Sequence, residues 1–534
     1  VVLTMDDRNS RPGALLVEGG KILAAGTRGV VEARAAPDAR RRDLGGRTMI
    51  PGFIDSHGHF PDPGLHQLFR IDLSAPPRGD CLDIATALAR LRDRAAAMPE
   101  GEWVVGVLFD NTAIGDRRMP TRAELDAVSE RHPVWVLHVT GHYGVANSLA
   151  LERRGYERES PDPPGGLLGR DPVTGELSGM LEGMSAMGDL CDTDFAIDTE
   201  QFWQGYAAAR AEYIAQGVTF AQNSWVPASL LAQFATLGAE GDPNFDLLLL
   251  PAGELEPALS RGQGPVDWPG NPHFPLGPRK LFVDGAFQFN TAYLSVPYHR
   301  PVNPELPRGM AYVSQEEIRA QVMALHRLGH QIHCHCNGDA AADMFIDAVD
   351  AALSAEPRPD NRHTIVHGQT LRDDQLERMA RLGMSVTFFS AHIHFWGDRH
   401  HDTYLGPERA ARISPAGSAE QAGLRYTLHN DAPVTPTRPL HLAHCAVNRR
   451  TASGRLLGEK QRISALAALR AQTIDAAWQV FLEDERGSIE AGKRADFAIL
   501  PVNPLDDPDR LGEMVIDETI VAGETVFRRD GAPA

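Results

Sequence analysis

Eight apolar, β-rich runs punctuate this chain, and several are separated by stretches with helical periodicity. The runs are Thr48–His57, Gly217–Asn223, Phe245–Ala252, Arg279–Asp284, His330–Cys336, His363–His367, Met384–Ser390 and Arg425–Asn430. Apolar residues recur at three and four in Ser314–Leu328, Ala340–Ala355 and Asp373–Leu382, as amphipathic helices require. Strands alternating with helices give a parallel sheet with crossover connections. Eight such strands are the number that closes a TIM-type (β/α)8 barrel. The expected fold class is therefore α/β, with the barrel spanning 49–484.

The two ends of the chain look alike. Ala14–Ala25 reads as two strands around Gly19-Gly20, and 494–501 and 515–527 are again short strands with glycine turns. Together, 1–48 and 485–534 are expected to form one small β-sandwich domain. The segment 61–199 is far longer than a usual strand-to-helix connection. It carries strand-like runs of its own (Trp103–Leu108, Val134–Thr140) and a Pro/Gly-rich stretch, Ser160–Gly169. It reads as an insertion after the first barrel strand, placed over the barrel mouth.

A chain of 534 residues exceeds one ordinary core. Hydrophobic content of 43% with 23% charged residues is that of a globular protein, and no apolar run is long enough to span a membrane. The formal charge of -19 argues against nucleic acid and anionic lipid as partners. A small-molecule substrate is the expected partner, and a homodimer is compatible with the sequence. Five cysteines, few and odd in number, argue against a disulfide framework and favour a reducing, cytoplasmic location. Val1–Met5 reads as the middle of a strand, which leaves room for a targeting segment removed before it.

Polar residues gather at the ends of the candidate strands, where a barrel of this kind does its chemistry. The first run ends in His57-Gly58-His59, and residues two apart on a strand share a face. Neutral imidazole is a common ligand for zinc and its neighbours. The fourth run carries Lys280 and leads to Asp284-Gly285. The fifth holds His333 and His335, the sixth ends at His367, and the eighth leads to Asn430-Asp431-Ala432-Pro433. Taken singly, each has a structural reading: a hydrogen-bonded core histidine, a turn-forming aspartate, a lysine that snorkels to the surface. Taken together, they occupy the same end of successive strands.

These pieces resemble the amidohydrolase superfamily, most closely the branch that includes D-aminoacylases and N-substituted formamide deformylases. The matching motifs are Pro51-Gly-Phe-Ile-Asp-Ser-His-Gly-His59, Gly217-Val-Thr219, Lys280 with Asp284-Gly285, His335-Cys-Asn-Gly-Asp339, His363-Thr-Ile-Val-His367 and Asn430-Asp-Ala-Pro433. Gly487-Ser-Ile-Glu-Ala-Gly-Lys-Arg-Ala-Asp496 matches the return to the small β domain, so the resemblance covers essentially the whole chain. It implies metal ligands at His57, His59, His335, His367 and Asp431, with Asp431 doubling as the proton-shuttling base and His367 assisting catalysis. Lys280 falls where many members carry a carbamylated lysine bridging two metals. An unmodified lysine offers no anionic oxygen, so a second ion depends on that modification. His333 and His335 share a strand face, and the family register favours His335 as the ligand.

The implied cofactor is a divalent metal, zinc on grounds of chemistry and abundance, as one ion or two. The implied reaction is hydrolysis of a non-peptide carbon–nitrogen bond, in an N-acyl or N-formyl compound, by metal-bound hydroxide. A deaminase or a cyclic-amide hydrolase on the same site is the alternative enzyme reading. A non-catalytic, metal-binding regulatory protein is the third. His392, His394 and Trp396, in the imidazole- and aromatic-rich stretch after the seventh run, are expected to shape the substrate pocket, with His142 a further candidate.

Overall fold

The structure is a computed structural model that describes residues 1–163, 166–183, 186–187, 197–236, 245–256 and 271–532. Part of Ser160–Gly169, and Cys191, lie outside the described residues. The chain divides into two compact units, Val1–Phe60 with Arg210–Ala534, and Pro61–Ala209.

Eight parallel strands organise the first unit: β1 (Phe53–Gly58), β2 (Val218–Val226), β3 (Asp246–Pro251), β4 (Arg279–Phe282), β5 (Ile332–Cys336), β6 (Thr364–His367), β7 (Ser385–Phe388) and β8 (Tyr426–Leu428). They form two arcs, β3-β2-β1 and β4-β5-β6-β7-β8, and every adjacent pair within an arc is parallel. A parallel bridge joins Ala252, just past β3, to Lys280 on β4. On the other side, Ser56 Oγ donates to Leu428 O at 3.0 Å and His59 N donates to Ala432 O at 2.8 Å. The strands are almost wholly buried, which is why they read as apolar runs and not as alternating ones.

One expected strand proves to be two. The run from Thr48 to His57 breaks at Gly52, whose N–H turns away to Asp496 O. Its first half, Thr48–Pro51, pairs antiparallel with Phe497–Leu500 in a four-stranded sheet; its second half is β1. A Cβ at Gly52 would lie 2.3 Å from Thr219 Oγ1, so only glycine lets the chain cross from one sheet to the other beside β2. An unbroken apolar run gives no sign of the change, because both halves are buried.

The four-stranded sheet is completed by Glu518–Val521 and Glu524–Arg528, while Ala14–Glu18 and Lys21–Gly26 form a separate hairpin. Gly19 and Gly20 turn that hairpin at φ 57 and 77, the left-handed values a tight two-residue turn demands. Val2, Ile22, Met49, Phe497, Ile499 and Ile520 share one apolar cluster, so residues from both chain ends pack together.

Helices flank the parallel strands. Gln315–Arg327 starts at a capping box in which Ser314 Oγ accepts from Glu317 N (3.2 Å) and Glu317 Oε2 accepts from Ser314 N (2.7 Å). It buries Ile318, Val322 and Leu325. Asp339–Ala355 follows β5 and buries Phe345, Ile346 and Val349; truncating such an aromatic to alanine costs about 3–5 kcal/mol.

The second unit has a six-stranded mixed sheet, with strands in the order Ile71–Asp72, Val104–Phe109, Val134–His138, Tyr143–Ala146, Leu177–Glu182 and Leu167–Arg170. Helix Ile84–Ala97 packs Ile84, Ala87 and Leu91 into a cluster with Val104, Phe109 and Val136. No helix among the described residues is long and apolar enough to cross a membrane.

Candidate metal centre

Three buried imidazoles and one buried carboxylate converge where β1, β6 and β8 end. His57, His367, His429 and Asp431 each offer a ligand atom, and these atoms all lie within 4.8 Å of one another. His57 is on β1 and His367 closes β6, whereas His429 and Asp431 follow β8. His57 Nε2 lies 3.3 Å from Asp431 Oδ1, and His59 Nε2 lies 3.4 Å from the same oxygen. His367 Nδ1 faces His429 Nε2 at 3.1 Å, and His367 Nε2 faces His335 Nδ1 at 3.1 Å.

The backbone is bent to hold this group. His367 has φ 74 and Asp431 has φ 54, in the left-handed region that side chains other than glycine avoid. Such conformations cost of order 1–3 kcal/mol each and persist only where the surroundings enforce them. Here the Asp431 amide is drawn to His57 O at 3.3 Å.

Electrostatics favour the forms a cation binds, neutral imidazole and ionised carboxylate. Burial, and then the Lys280 charge, push His57 well below the usual imidazole range. Burial and the His335 ring do the same to His367, and burial takes His429 down to about 3. Burial alone would raise Asp431, but hydrogen bonds from His57 and His59 hold its carboxyl well below the usual range. With four convergent buried donors, the residues fit a divalent cation.

The other expected residues surround this group at different removes. His335 is oriented from behind: its Nε2 is 3.1 Å from Gly285 O and 3.2 Å from Asn337 Nδ2. Asp284 braces that corner, accepting from Asn337 N (2.9 Å), Gly338 N (2.8 Å) and Tyr293 N (2.8 Å). His333 is fully buried on the same strand, and neither of its ring nitrogens has a hydrogen-bond partner among the described residues. Lys280 is buried too, its ammonium 5.0 Å from the centre of the Phe282 ring, and burial pulls its amine down to about 8.

After β7 the chain forms a helix, His392–Arg399, followed by a wide turn through Tyr404. His392 and Trp396 fall on one face of it, with ring centres 4.5 Å apart, and both are buried. Phe389 links them to the metal-binding group, with ring centres 4.6 Å from His392 and 5.0 Å from His429. His394 points elsewhere and packs on His441 at 4.9 Å. His142 belongs to the second unit, half-buried in the turn between Val134–His138 and Tyr143–Ala146.

His429 is the residue that strand-end reasoning missed. Its signal was its position two residues before Asp431, the same spacing as His57 and His59.

Comparison with known proteins agrees with this chemistry. The profile of the amidohydrolase family matches residues 40–527. An N-substituted formamide deformylase of Arthrobacter pascens is 30% identical, over 99% of this chain and 98% of that protein. The YtcJ protein of Bacillus subtilis (strain 168) is 25% identical, over 99% and 98% respectively. Among solved structures, an uncharacterized metal-dependent hydrolase from Pyrococcus horikoshii OT3 shares the fold with a TM-score of 0.74 at 24% identity, covering 94% of this chain and 96% of that one.

Proposed function

The chain belongs to the amidohydrolase family, and we propose that it hydrolyses the carbon–nitrogen bond of a linear, non-peptide amide, an N-acyl or N-formyl compound. The observation that carries this reading is the buried group of His57, His367, His429 and Asp431. Its similarity along nearly its whole length to a formamide deformylase supports the choice of bond. The two arcs of parallel strands are read as one (β/α)8 barrel, on the support of the Ala252–Lys280 bridge and the Ser56–Leu428 hydrogen bond.

In this reading His57, His367, His429 and Asp431 hold a divalent cation, zinc by the chemistry of the donors, with His59 and His335 beside it. Such a cation supplies Lewis acidity towards a carbonyl oxygen and towards water. Asp431 is ionised at neutral pH, so its Oδ1 can take the proton released when water attacks the amide carbon. The same oxygen then returns that proton to the leaving nitrogen. His367, neutral and oriented by His335, would act on the oxygen that gains charge through the cation it helps to hold. Phe389, His392 and Trp396 form an apolar and imidazole wall that fits the acyl or amine substituent. Lys280, with its amine near 8, is within reach of the neutral form that carbamylation requires, and a second ion would follow from that modification.

The test is a panel of N-formyl and N-acyl amines assayed with and without added zinc. Metal-dependent release of an amine together with a carboxylic acid is expected. Release of ammonia alone would point to deamination instead.

A further inference from the structure

His429 can bind a cation only through Nε2, because its other nitrogen is already occupied. Nε2 faces His367 Nδ1, while Nδ1 lies 3.0 Å from Thr387 Oγ1 on β7. Thr387 Oγ1 in turn lies 3.0 Å from Ser56 Oγ on β1. Ser56 Oγ lies 3.0 Å from Leu428 O on β8. Four groups thus form three contacts across three strands, and all four residues are buried.

A carbonyl oxygen can only accept, and this sets the direction of the whole row. Ser56 donates its proton to Leu428 O, leaving Ser56 Oγ free to accept. Thr387 donates to Ser56 and must therefore accept at its other side. The donor available there is His429 Nδ1–H. A neutral imidazole that carries its proton on Nδ1 has a bare lone pair on Nε2. The opposite arrangement, with Thr387 donating to His429, leaves the Ser56–Thr387 contact without a proton, and a buried unmade hydrogen bond costs about 1–3 kcal/mol.

The geometry points to Thr387, backed by Ser56, as the positioning residue that holds His429 in its metal-binding tautomer before any ion arrives. This rests on the proposed metal site for its functional meaning, though not for its structural content. Neither hydroxyl touches the ligand atoms; they act through the far side of the ring, as partners of ligating histidines commonly do.

Two measurements test it. Neutron diffraction from deuterated, metal-free crystals of the wild-type protein should place the deuterium of His429 on Nδ1; finding it on Nε2 would overturn the assignment. Zinc affinity by chelator competition should fall about 10–100-fold in Thr387→Val and return to near the wild-type value in Thr387→Ser. Wild-type affinity in a folded Thr387→Val protein would equally refute it. In metal-free Ser56→Ala, Thr387 loses its acceptor, and the deuterium should move to Nε2 of His429; retention on Nδ1 would show that the row does not set the tautomer. A wild-type protein that bound no divalent cation would defeat the metal-hydrolase reading, whereas the deuterium position in the metal-free crystal is decided separately.

Discussion

Two of the buried imidazole pairs whose nitrogens lie 3.1 Å apart, His326–His363 and His367–His429, serve different ends. Away from the strand-end cluster, His326 Nδ1 faces His363 Nε2; His326 Nε2 donates to Glu356 O at 2.8 Å, and His363 Nδ1 accepts from Ile332 N at 3.1 Å. His326 carries its proton on Nε2 and so does His363, so His363 Nε2–H donates to His326 Nδ1 and the pair ties helix to strand with no lone pair left over. In the other pair, His367 and His429 turn facing nitrogens towards His57 and Asp431. Burial and mutual proximity are the same in both. What separates a structural pair from a metal-binding one is whether the lone pairs converge on a carboxylate or end on the backbone.

The largest effect should come from breaking the convergent side. Asp431→Asn keeps the shape but removes the charge and the proton acceptor, and turnover should fall by about 10²–10⁴-fold or more, with the fold intact by circular dichroism. His57→Ala should also abolish turnover and lower the zinc content measured by mass spectrometry. Substantial activity in either variant would refute the assignment.

The paired variants His429→Gln and His363→Gln sharpen the contrast. The first should lose metal affinity together with the His429–Thr387 contact. The second should keep its metal stoichiometry and lose about 1–3 kcal/mol of stability in urea, because it leaves a buried partner unsatisfied. If both lost metal equally, the distinction drawn here would be wrong.

A pH titration separates stability from chemistry. Burial holds His363 down to about 3, against an ordinary value of 6.5. Its folded value is depressed, so the unfolded chain binds the extra proton first. The stability it contributes is complete above about 6.5 and drains away as pH falls below it, by up to roughly 1.4 kcal/mol per unit. Between pH 6.5 and 5 the stability of His363→Gln should therefore fall less steeply than that of the wild type; parallel curves would contradict the assignment.

The smallest effect is expected at the aromatic wall. Trp396→Ala should raise KM for bulky amides severalfold more than for small ones, with kcat little changed. Uniform kinetics across the panel would remove Trp396 from the pocket.

Three members of the buried group, His57, His367 and Asp431, were legible in the sequence because strand ends carry their chemistry openly. His57, His59, His335, His367 and Asp431 all close an apolar run or follow one directly. His429 was hidden because it falls inside the apolar run Arg425–Asn430, where a histidine is ordinarily a packed core residue, and only its spacing from Asp431 pointed the other way. The break at Gly52 was hidden for a different reason: both flanking halves are apolar, and only the approach of Thr219 reveals why a side chain is missing there. The helix His392–Arg399 is not legible in the sequence because its imidazoles and aromatics mask the helical period.

The decisive measurement is anomalous scattering at the zinc edge from crystals of active, zinc-replete protein. A peak is expected between the imidazoles of His57, His367 and His429 and the carboxylate of Asp431, and it should be absent in Asp431→Asn crystals of reduced metal content. An active wild-type protein with no peak there, or with its metal bound elsewhere, would contradict the proposed centre.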